Sequence, residues 1–448
     1  MTDDLFSSVT FRESTARNRV MVSPMCQYSC DGDGLATDWH HVHLGSRATG
    51  GAGIVMTEAT AVEPRGRISP DDLGIWSDEH ADALAPTAEF IRDRGALPAI
   101  QLAHAGRKAS KTSPWGGNQP LQPDDDGWET IAPSAEPWPY DDTPPELREM
   151  TTDDIATVVD SFASAAERAL DAGFEIAEVH AAHGYLLHEF LSPVTNRRED
   201  EYGGSLENRT RIVREVTEAV REVWPDDKPV FVRISATDWL SDRESWTIED
   251  SVHLSEELHG LGADLIDVSA GGLHPDQQIP NPGPNYQVPF AERIREETDV
   301  PVAPSAASPN PHRPTRSSET VGATSRSSAA NTSATRTSRS MPRRNSTLKT
   351  ASNGPDSIAA LCEFRNHVVR PTDDLSRHSS IDSYGIQSQE LRPAGTEVRS
   401  CRLTTRLVRT SRSRRSNFGT RQPRFFSPKS TSPTQSCDGC SVRSFTGW

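Results

Sequence analysis

Residues 175–193 read EIAEVHAAHGYLLHEFLSP. The stretch opens as a short apolar run, Glu175–His180, of the length and composition of a strand buried on both faces. Its polar residues, His180, His183 and Tyr185, gather where that strand ends. Just upstream, Thr151–Ala172 starts with a Thr/Asp cap and sets Ile155, Val158, Val159, Phe162, Ala166 and Leu170 on one stripe at three- and four-residue spacing. That spacing predicts an amphipathic helix, and Gly173 sits where it should stop.

The same unit repeats outward in both directions. Short runs rich in Val, Ile and Leu occur at Arg19–Met25, Gly53–Glu58, Leu97–Leu102, Val230–Ser235 and Asp264–Ser269, and helical patterns occupy Leu206–Val223 and Ile248–Leu261, with Gly262 as a stop. Buried strands separated by helices predict an α/β parallel sheet. Six units over about 270 residues, with polar groups at the strands' C-terminal ends, suit a (β/α)8 barrel whose site lies at that end. A doubly wound sheet is the alternative, but no G-x-G-x-x-G follows the first strand. The irregular stretch Lys111–Glu149, rich in Pro, Asp, Trp and Gly, reads as a lid over the barrel mouth.

Composition changes at one point. Residues 1–303 carry 24 Lys and Arg against 55 Asp and Glu, whereas residues 304–448 carry 23 against 9. Only three of the front part's cations are lysines: Lys108, Lys111 and Lys228. An acid-rich, lysine-poor surface repels itself unless salt screens it, which predicts a halophilic protein over an ordinary acidic one and argues against nucleic-acid binding by this part. No apolar run is long enough to span a membrane. The N-terminus, MTDDLFSSVTFRES, has no basic region followed by an apolar stretch, and Cys26 and Cys30 are the only cysteines before residue 362. A reducing, cytoplasmic setting is expected.

Several strand ends carry chemistry. The first is Ser23-Pro24-Met25-Cys26-Gln27-Tyr28 and the third is Gln101-Leu102-Ala103-His104-Ala105-Gly106-Arg107-Lys108. By itself Cys26 reads as a small buried hydrophobe. The Gln101 amide offers both a donor and an acceptor. His104 and Lys108 suit either loop orientation or a direct role. At the fourth strand, two imidazoles can donate two hydrogen bonds to one carbonyl oxygen and stabilise growing enolate charge. Tyr185, a phenol, is a suitable proton donor to carbon. His180 and His183 are also potential metal ligands, but no cysteine or carboxylate pair completes a site.

These motifs, six strand ends in order, resemble the Old Yellow Enzyme family of NADH:flavin oxidoreductases, in its bacterial, thermophilic-like ene-reductase branch. The long motif Asn196-Arg197-Arg198-x-Asp200-Glu201-Tyr202-Gly203-Gly204-Ser205-x-Glu207-Asn208-Arg209 matches too and reads as structural, with Ser205 a helix cap. The resemblance implies FMN bound by Ser23, Pro24, Met25, Cys26, Ala59, Gln101 and Arg233. In it the Cys26 thiol tunes the flavin, Gln101 meets its pyrimidine edge, and Arg233 stands beside the N1 and C2 carbonyl. The other reading of Arg233 is an arginine paired with a neighbouring acid. Ser269-Ala270-Gly271-Gly272 is expected to supply backbone near the cofactor. Tyr28, His180, His183 and Tyr185 are expected at the substrate. The implied reaction is ping-pong: NADPH or NADH reduces the flavin and leaves, then an α,β-unsaturated carbonyl compound accepts hydride at its β-carbon and a proton from Tyr185. A dienoyl-CoA reductase would need several closely spaced cysteines after the barrel for an iron–sulfur centre, and this chain lacks that pattern: Cys437-x-x-Cys440 lies in the stretch that reads as frameshifted and is not half a metal site.

The resemblance also predicts, after Val302, a strand ending in glycines, a helix, and a strand ending Gly-Arg to bind the FMN phosphate. The chain instead reads APSAASPNPHRPTRSS and onward, rich in Ser, Thr and Arg. Read alone, this is a basic disordered tail. Read as GC-rich codons with one base restored after Val302, the segment permits GAVGGITQPA and then PDEIVRNGRGDLALLGREHLRDPYF, with the expected helix, strand and Gly-Arg. The expectation is therefore an incomplete barrel domain over 1–302 and a frameshifted, disordered segment over 303–448, with strands seven and eight lost. The rival is a non-functional product unable to bind FMN, or a scaffold with a nucleic-acid-binding tail. The family's neighbour-supplied C-terminal residue would make an intact chain a homo-oligomer.

Overall fold

The computed structural model describes residues 5–140, 142–280, 282–283, 285–306 and 359–361. All lie in one unit, Met1–Val368.

Eight parallel strands close a barrel, each paired with its successor in the chain and the last with the first. In order they are Val20–Val22, Ile54–Ala61, Leu97–Ala103, Ile176–Ala181, Val230–Ser235, Leu265–Ser269, Val302–Ala306 and Ala359–Leu361. The first six are the runs read from the sequence. Ile176–Ala181 and Val230–Ser235 are buried throughout, as strands covered by helices outside and side chains inside must be. The outer helices are Asp38–Thr49, Asp78–Asp93, Thr152–Asp171, Leu206–Val223, Ile248–Gly260 and Val288–Thr298. On Thr152–Asp171 the stripe Ile155, Val158, Phe162 and Ala166 faces the core, and Thr151 and Asp154 cap its start reciprocally. Ser205 caps Leu206–Val223 by accepting from Asn208 N–H.

The barrel interior is layered. At the N-terminal end Met21, Ile54, Met56, Ala99, Ile176, Phe231, Leu265 and Ala303 pack together, plugged by Val9, Phe11 and Ala16 of a two-stranded hairpin. Above them the interior turns polar, with Gln101, Glu178, Arg233 and Asp267 all buried.

The expectation that strands seven and eight are lost needs correction. Val302–Ala306 pairs in parallel with strand six, Ile266 opposite Val302 and Val268 opposite Pro304, and Ala359–Leu361 pairs with both strand seven and strand one. Ladder bonds are made by the main chain, so small residues without a strand-like pattern can still fill a position that neighbours define. The disorder expected for the rest of 303–448 concerns residues outside those described. The lid stretch contains short 3₁₀ turns and a pairing of Thr130–Ala132 with Leu147–Glu149. No helix among the described residues is long and apolar enough to cross a membrane.

Candidate active site

A cavity of about 290 Å³ opens at the C-terminal ends of the strands. The residues expected to hold the cofactor ring or the substrate line it, whereas of Ser269-Ala270-Gly271-Gly272 only Ser269 does. Ser23, Pro24, Met25, Cys26 and Tyr28 come from strand one, Ala59 from strand two and Gln101 from strand three. His180, His183 and Tyr185 come from strand four and its loop, and Arg233 from strand five. Ser269, Tyr286, Gln287 and Ser305 complete the wall. Only the backbone around Ser269 was foreseen. The other three come from irregular sequence or from strand seven, where no periodic signal marked them.

The strand-four loop is held in a demanding conformation. His183 and Gly184 both lie in the left-handed region, at φ 59° and 69°, which costs a non-glycine residue roughly 1–2 kcal/mol. A side chain at Gly184 would come within 2.4 Å of Gly272 O, so glycine alone fits. Hydrogen bonds from four donor groups fix the turn. His183 N–H donates to Ser235 Oγ (2.9 Å), Gly184 N–H to His188 Nδ1 (2.9 Å) and Tyr185 N–H to Ala182 O (3.2 Å). Lys108 Nζ donates to His183 O at 2.8 Å and to Gly272 O at 3.0 Å. The geometry thus gives Lys108 the loop-orienting position, and its ammonium also lies 4.5 Å from the Trp138 ring and 4.9 Å from the Tyr185 ring. His188 Nε2 in turn reaches Asp238 Oδ1 at 3.0 Å, both fully buried.

This turn brings three rings together: His180 lies 5.2 Å from His183 and 5.4 Å from Tyr185, centroid to centroid. Burial, and after it the Arg233 charge, holds both imidazoles well below their ordinary pKa, so both are neutral. Burial, then Cys26 and Asp72, pushes the Tyr185 phenol well above its ordinary value and keeps its proton on. Burial, then Asp72 and Glu58, does the same for the Cys26 thiol.

Arg233 satisfies both readings offered for it. It lines the cavity, yet its Nε lies 3.3 Å from Asp267 Oδ2 and its Nη2 donates to Ser305 Oγ at 2.8 Å. Beneath the cavity Gln101 Nε2 donates to Glu178 Oε1 at 2.8 Å. Burial and the neighbouring Asp267 push the Glu178 carboxyl up, against Arg233. His104 turns away: its Nε2 meets Glu63 Oε1 at 2.8 Å while Nδ1 accepts from Gly106 N–H at 3.0 Å. Among the described residues no group of three or more His, Cys, Asp or Glu is placed to hold a metal.

Residues 4–310 match the model of the NADH:flavin oxidoreductase / NADH oxidase family. The chain is 49% identical over 297 residues to an NADPH dehydrogenase of Geobacillus sp. (strain WCH70), covering 66% of this chain and 81% of that protein. It is 44% identical over 302 residues to the NADPH dehydrogenase of Bacillus subtilis (strain 168), covering 67% and 82%. The chain belongs to the Old Yellow Enzyme family.

Solved structures of this family agree in fold. The Old Yellow Enzyme homologue from Zymomonas mobilis superposes with a TM-score of 0.57 at 28% identity, over 68% of this chain and 82% of that one. Morphinone reductase in complex with tetrahydroNAD gives 0.55 at 29%, over 67% and 80%. The chain is an NAD(P)H-dependent flavin oxidoreductase with FMN as its cofactor. The cavity suits the ring portion of that group. Its volume is at the small end of ligand pockets, about 300–1,000 Å³. One wall is the short segment Ser23–Cys26, the Gln101 amide and Arg233 guanidinium converge from strands three and five, and His180 Nδ1 is buried without a hydrogen-bond partner. The Gly-Arg expected for the phosphate has no counterpart among the described residues.

Proposed function

We propose that this Old Yellow Enzyme reduces the carbon–carbon double bond of α,β-unsaturated carbonyl compounds, taking its electrons from NADPH or NADH in a ping-pong cycle. The observation that carries the reading is the meeting of two neutral imidazoles and one protonated phenol at a single cavity. In this reading Ser23, Pro24, Met25, Cys26, Ala59, Gln101 and Arg233 hold the FMN ring, which when bound supplies the hydride. His180 and His183 hold the substrate's carbonyl oxygen and offset the negative charge that grows there. Tyr185 delivers its proton to the α-carbon, and Tyr28 packs against the substrate. Fixed dipoles in a site that excludes water do this without reorganising, which is where such stabilisation is largest.

The acid-rich, lysine-poor front part supports a halophilic, cytoplasmic enzyme, and the same charge argues against nucleic acid as its partner. The change of composition at Val302 supports a domain over 1–302 followed by a frameshifted segment over 303–448. Sequencing codons 298–310 tests this: an extra base there in a sister isolate supports it, and an identical frame overturns it. A homo-oligomer is expected where the frame is intact.

The function is tested by refolding the full chain with FMN in molar salt and supplying NADPH and 2-cyclohexen-1-one without oxygen. Yellow protein that forms cyclohexanone supports the reading. Colourless protein points to the rival, a product unable to bind FMN. Yellow protein that oxidises NADPH but leaves the enone untouched removes the substrate class alone.

A further inference from the structure

The layer beneath the cavity holds two carboxylic acids and one guanidinium, Glu178, Asp267 and Arg233, all buried. Geometry sorts the acids. Asp267 stands opposite Arg233 in the ladder between strands five and six. Arg233 Nε lies 3.3 Å from Asp267 Oδ2, and Arg233 Nη2 donates to Ser305 Oγ at 2.8 Å. Ser305 Oγ in turn donates to Asp267 Oδ1 at 3.4 Å. Residues of strands five, six and seven thus close one circuit. Glu178 stays outside it: its Oε1 accepts from Gln101 Nε2, and its Oε2 has no hydrogen-bond partner.

Two consequences follow from the circuit. A guanidinium is a rigid planar fork, so engaging two of its three nitrogens leaves it one orientation. A carboxylate against it also offsets part of its charge. The charge balance agrees with this sorting. Burial raises both carboxyls, and Arg233 opposes the rise at each. The Asp267 charge pushes Glu178 further, to about 8. At pH 6 the proton therefore sits on Glu178 and the negative charge on Asp267.

We propose that Asp267 is a positioning residue for Arg233: with Ser305 it fixes the guanidinium at the cavity wall, and it offsets part of the positive field presented to the FMN ring. It thereby holds the potential of the bound flavin down. The inference rests on the reading of Arg233 as a ring contact and deepens it. An FMN ring gains negative charge on reduction, so a bare cation beside it raises the potential more than a paired one does.

The test is the midpoint potential of the full FMN-loaded chain, reduced without oxygen at pH 6 against a reference dye. Glu178→Gln alone should leave it unmoved. In that background, where the second acid cannot take up the charge, Asp267→Asn should raise the reduced-to-oxidised ratio about 10-fold, or about 30 mV for a two-electron couple. Arg233→Gln should lower the potential. If Arg233→Gln lowers it and Asp267→Asn does not raise it, the proposal is overturned and the ring contact stands. A rise as large in Glu178→Gln alone names the wrong acid and also overturns it. An unmoved potential in Arg233→Gln discards the ring contact and the proposal together. A second readout needs no FMN. In the full chain with nitrogen-15 arginine, a held guanidinium cannot turn freely, so Arg233 should show separate Nη resonances, assigned by their loss in Arg233→Lys. They should merge in Asp267→Asn and in Ser305→Ala, which removes one hydroxyl and no charge. Merged resonances in the unmodified chain overturn the proposal, whatever the flavin does.

Discussion

Four histidines stand around the mouth of this barrel, and they divide into two pairs. His104 and His188 are wired alike. Each accepts a glycine N–H at Nδ1, from Gly106 and Gly184, and each turns Nε2 to a carboxylate, Glu63 and Asp238. Both glycines sit at positive φ, 61° and 69°. His180 and His183 have no carboxylate. Their charged neighbours are cations, Arg233 and Lys108, and both rings are held neutral. The contrast teaches how one residue type serves two purposes at one strand end. His104, hydrogen-bonded at both nitrogens, is saturated and can only brace; His188 makes one hydrogen bond, at Nδ1, and its Nε2 lies 3.0 Å from Asp238 Oδ1 without hydrogen-bond geometry. An imidazole with a cation nearby and an open nitrogen remains available to a ligand. The bracing pair fixes the turns that present the working pair, through Gly184 in one case and Gly106 in the other.

Substitution should separate the pairs cleanly. His180→Ala is expected to lower kcat/KM for 2-cyclohexen-1-one by about 10²–10³, the loss typical of one oxyanion-stabilising donor, with the melting temperature unchanged. His188→Leu should do the reverse in kind. It strands the buried Asp238 carboxylate, leaving it the Ser192 hydroxyl and Trp246 N–H, and should cost about 3 kcal/mol of stability in urea unfolding. Should His188→Leu melt normally while His180→Ala unfolds, the division between the pairs is wrong.

Much of the site was legible because its residues sit in contiguous motifs at strand ends, where the polar residue after an apolar run points into the barrel mouth. Cys26, Gln101, His180 and Arg233 are all of that kind. The distinction between the two pairs was not legible, since it depends on Glu63 and Asp238, which lie in other loops. Gln287 was hidden for a related reason: it stands at the foot of the short helix Val288–Thr298 after an irregular loop, with no pattern to fix its direction. The hairpin Val9–Phe11/Ser14–Ala16 is too short for periodicity to register. Strand seven, Val-Ala-Pro-Ser-Ala, lacks the branched and aromatic residues by which strands are recognised, and its place comes from the ladder with strand six.

Lys108 joins the two pairs, since it binds the backbone of His183 while its charge disfavours protonation of His180 and His183. Burial, then Lys111 and Arg107, brings its own pKa down to about 7. Its charge is present below that pH and fades above it. Lys108→Met should therefore lower kcat/KM about 10-fold at pH 6, with the gap between variant and parent narrowing toward pH 9. A gap constant across that range would mean that Lys108 acts through its hydrogen bonds alone, independent of charge.

The smallest expected effect concerns the bracing pair and acid. Burial alone would raise the Glu63 carboxyl, but the hydrogen bonds from His104 and Arg65 outweigh it and hold the group at about 2, below an ordinary 4.5. A carboxylate whose folded pKa is depressed contributes stability that is complete above its unfolded value and disappears as pH falls through the folded one. The window is thus pH 4.5 down to 2. Glu63→Gln keeps an acceptor for His104 but cannot titrate, so its melting temperature should fall less steeply than the parent's between pH 5 and pH 3. An acid limb as steep in Glu63→Gln as in the parent would mean that the hydrogen bonds from His104 and Arg65 to Glu63 hold no proton-linked stability.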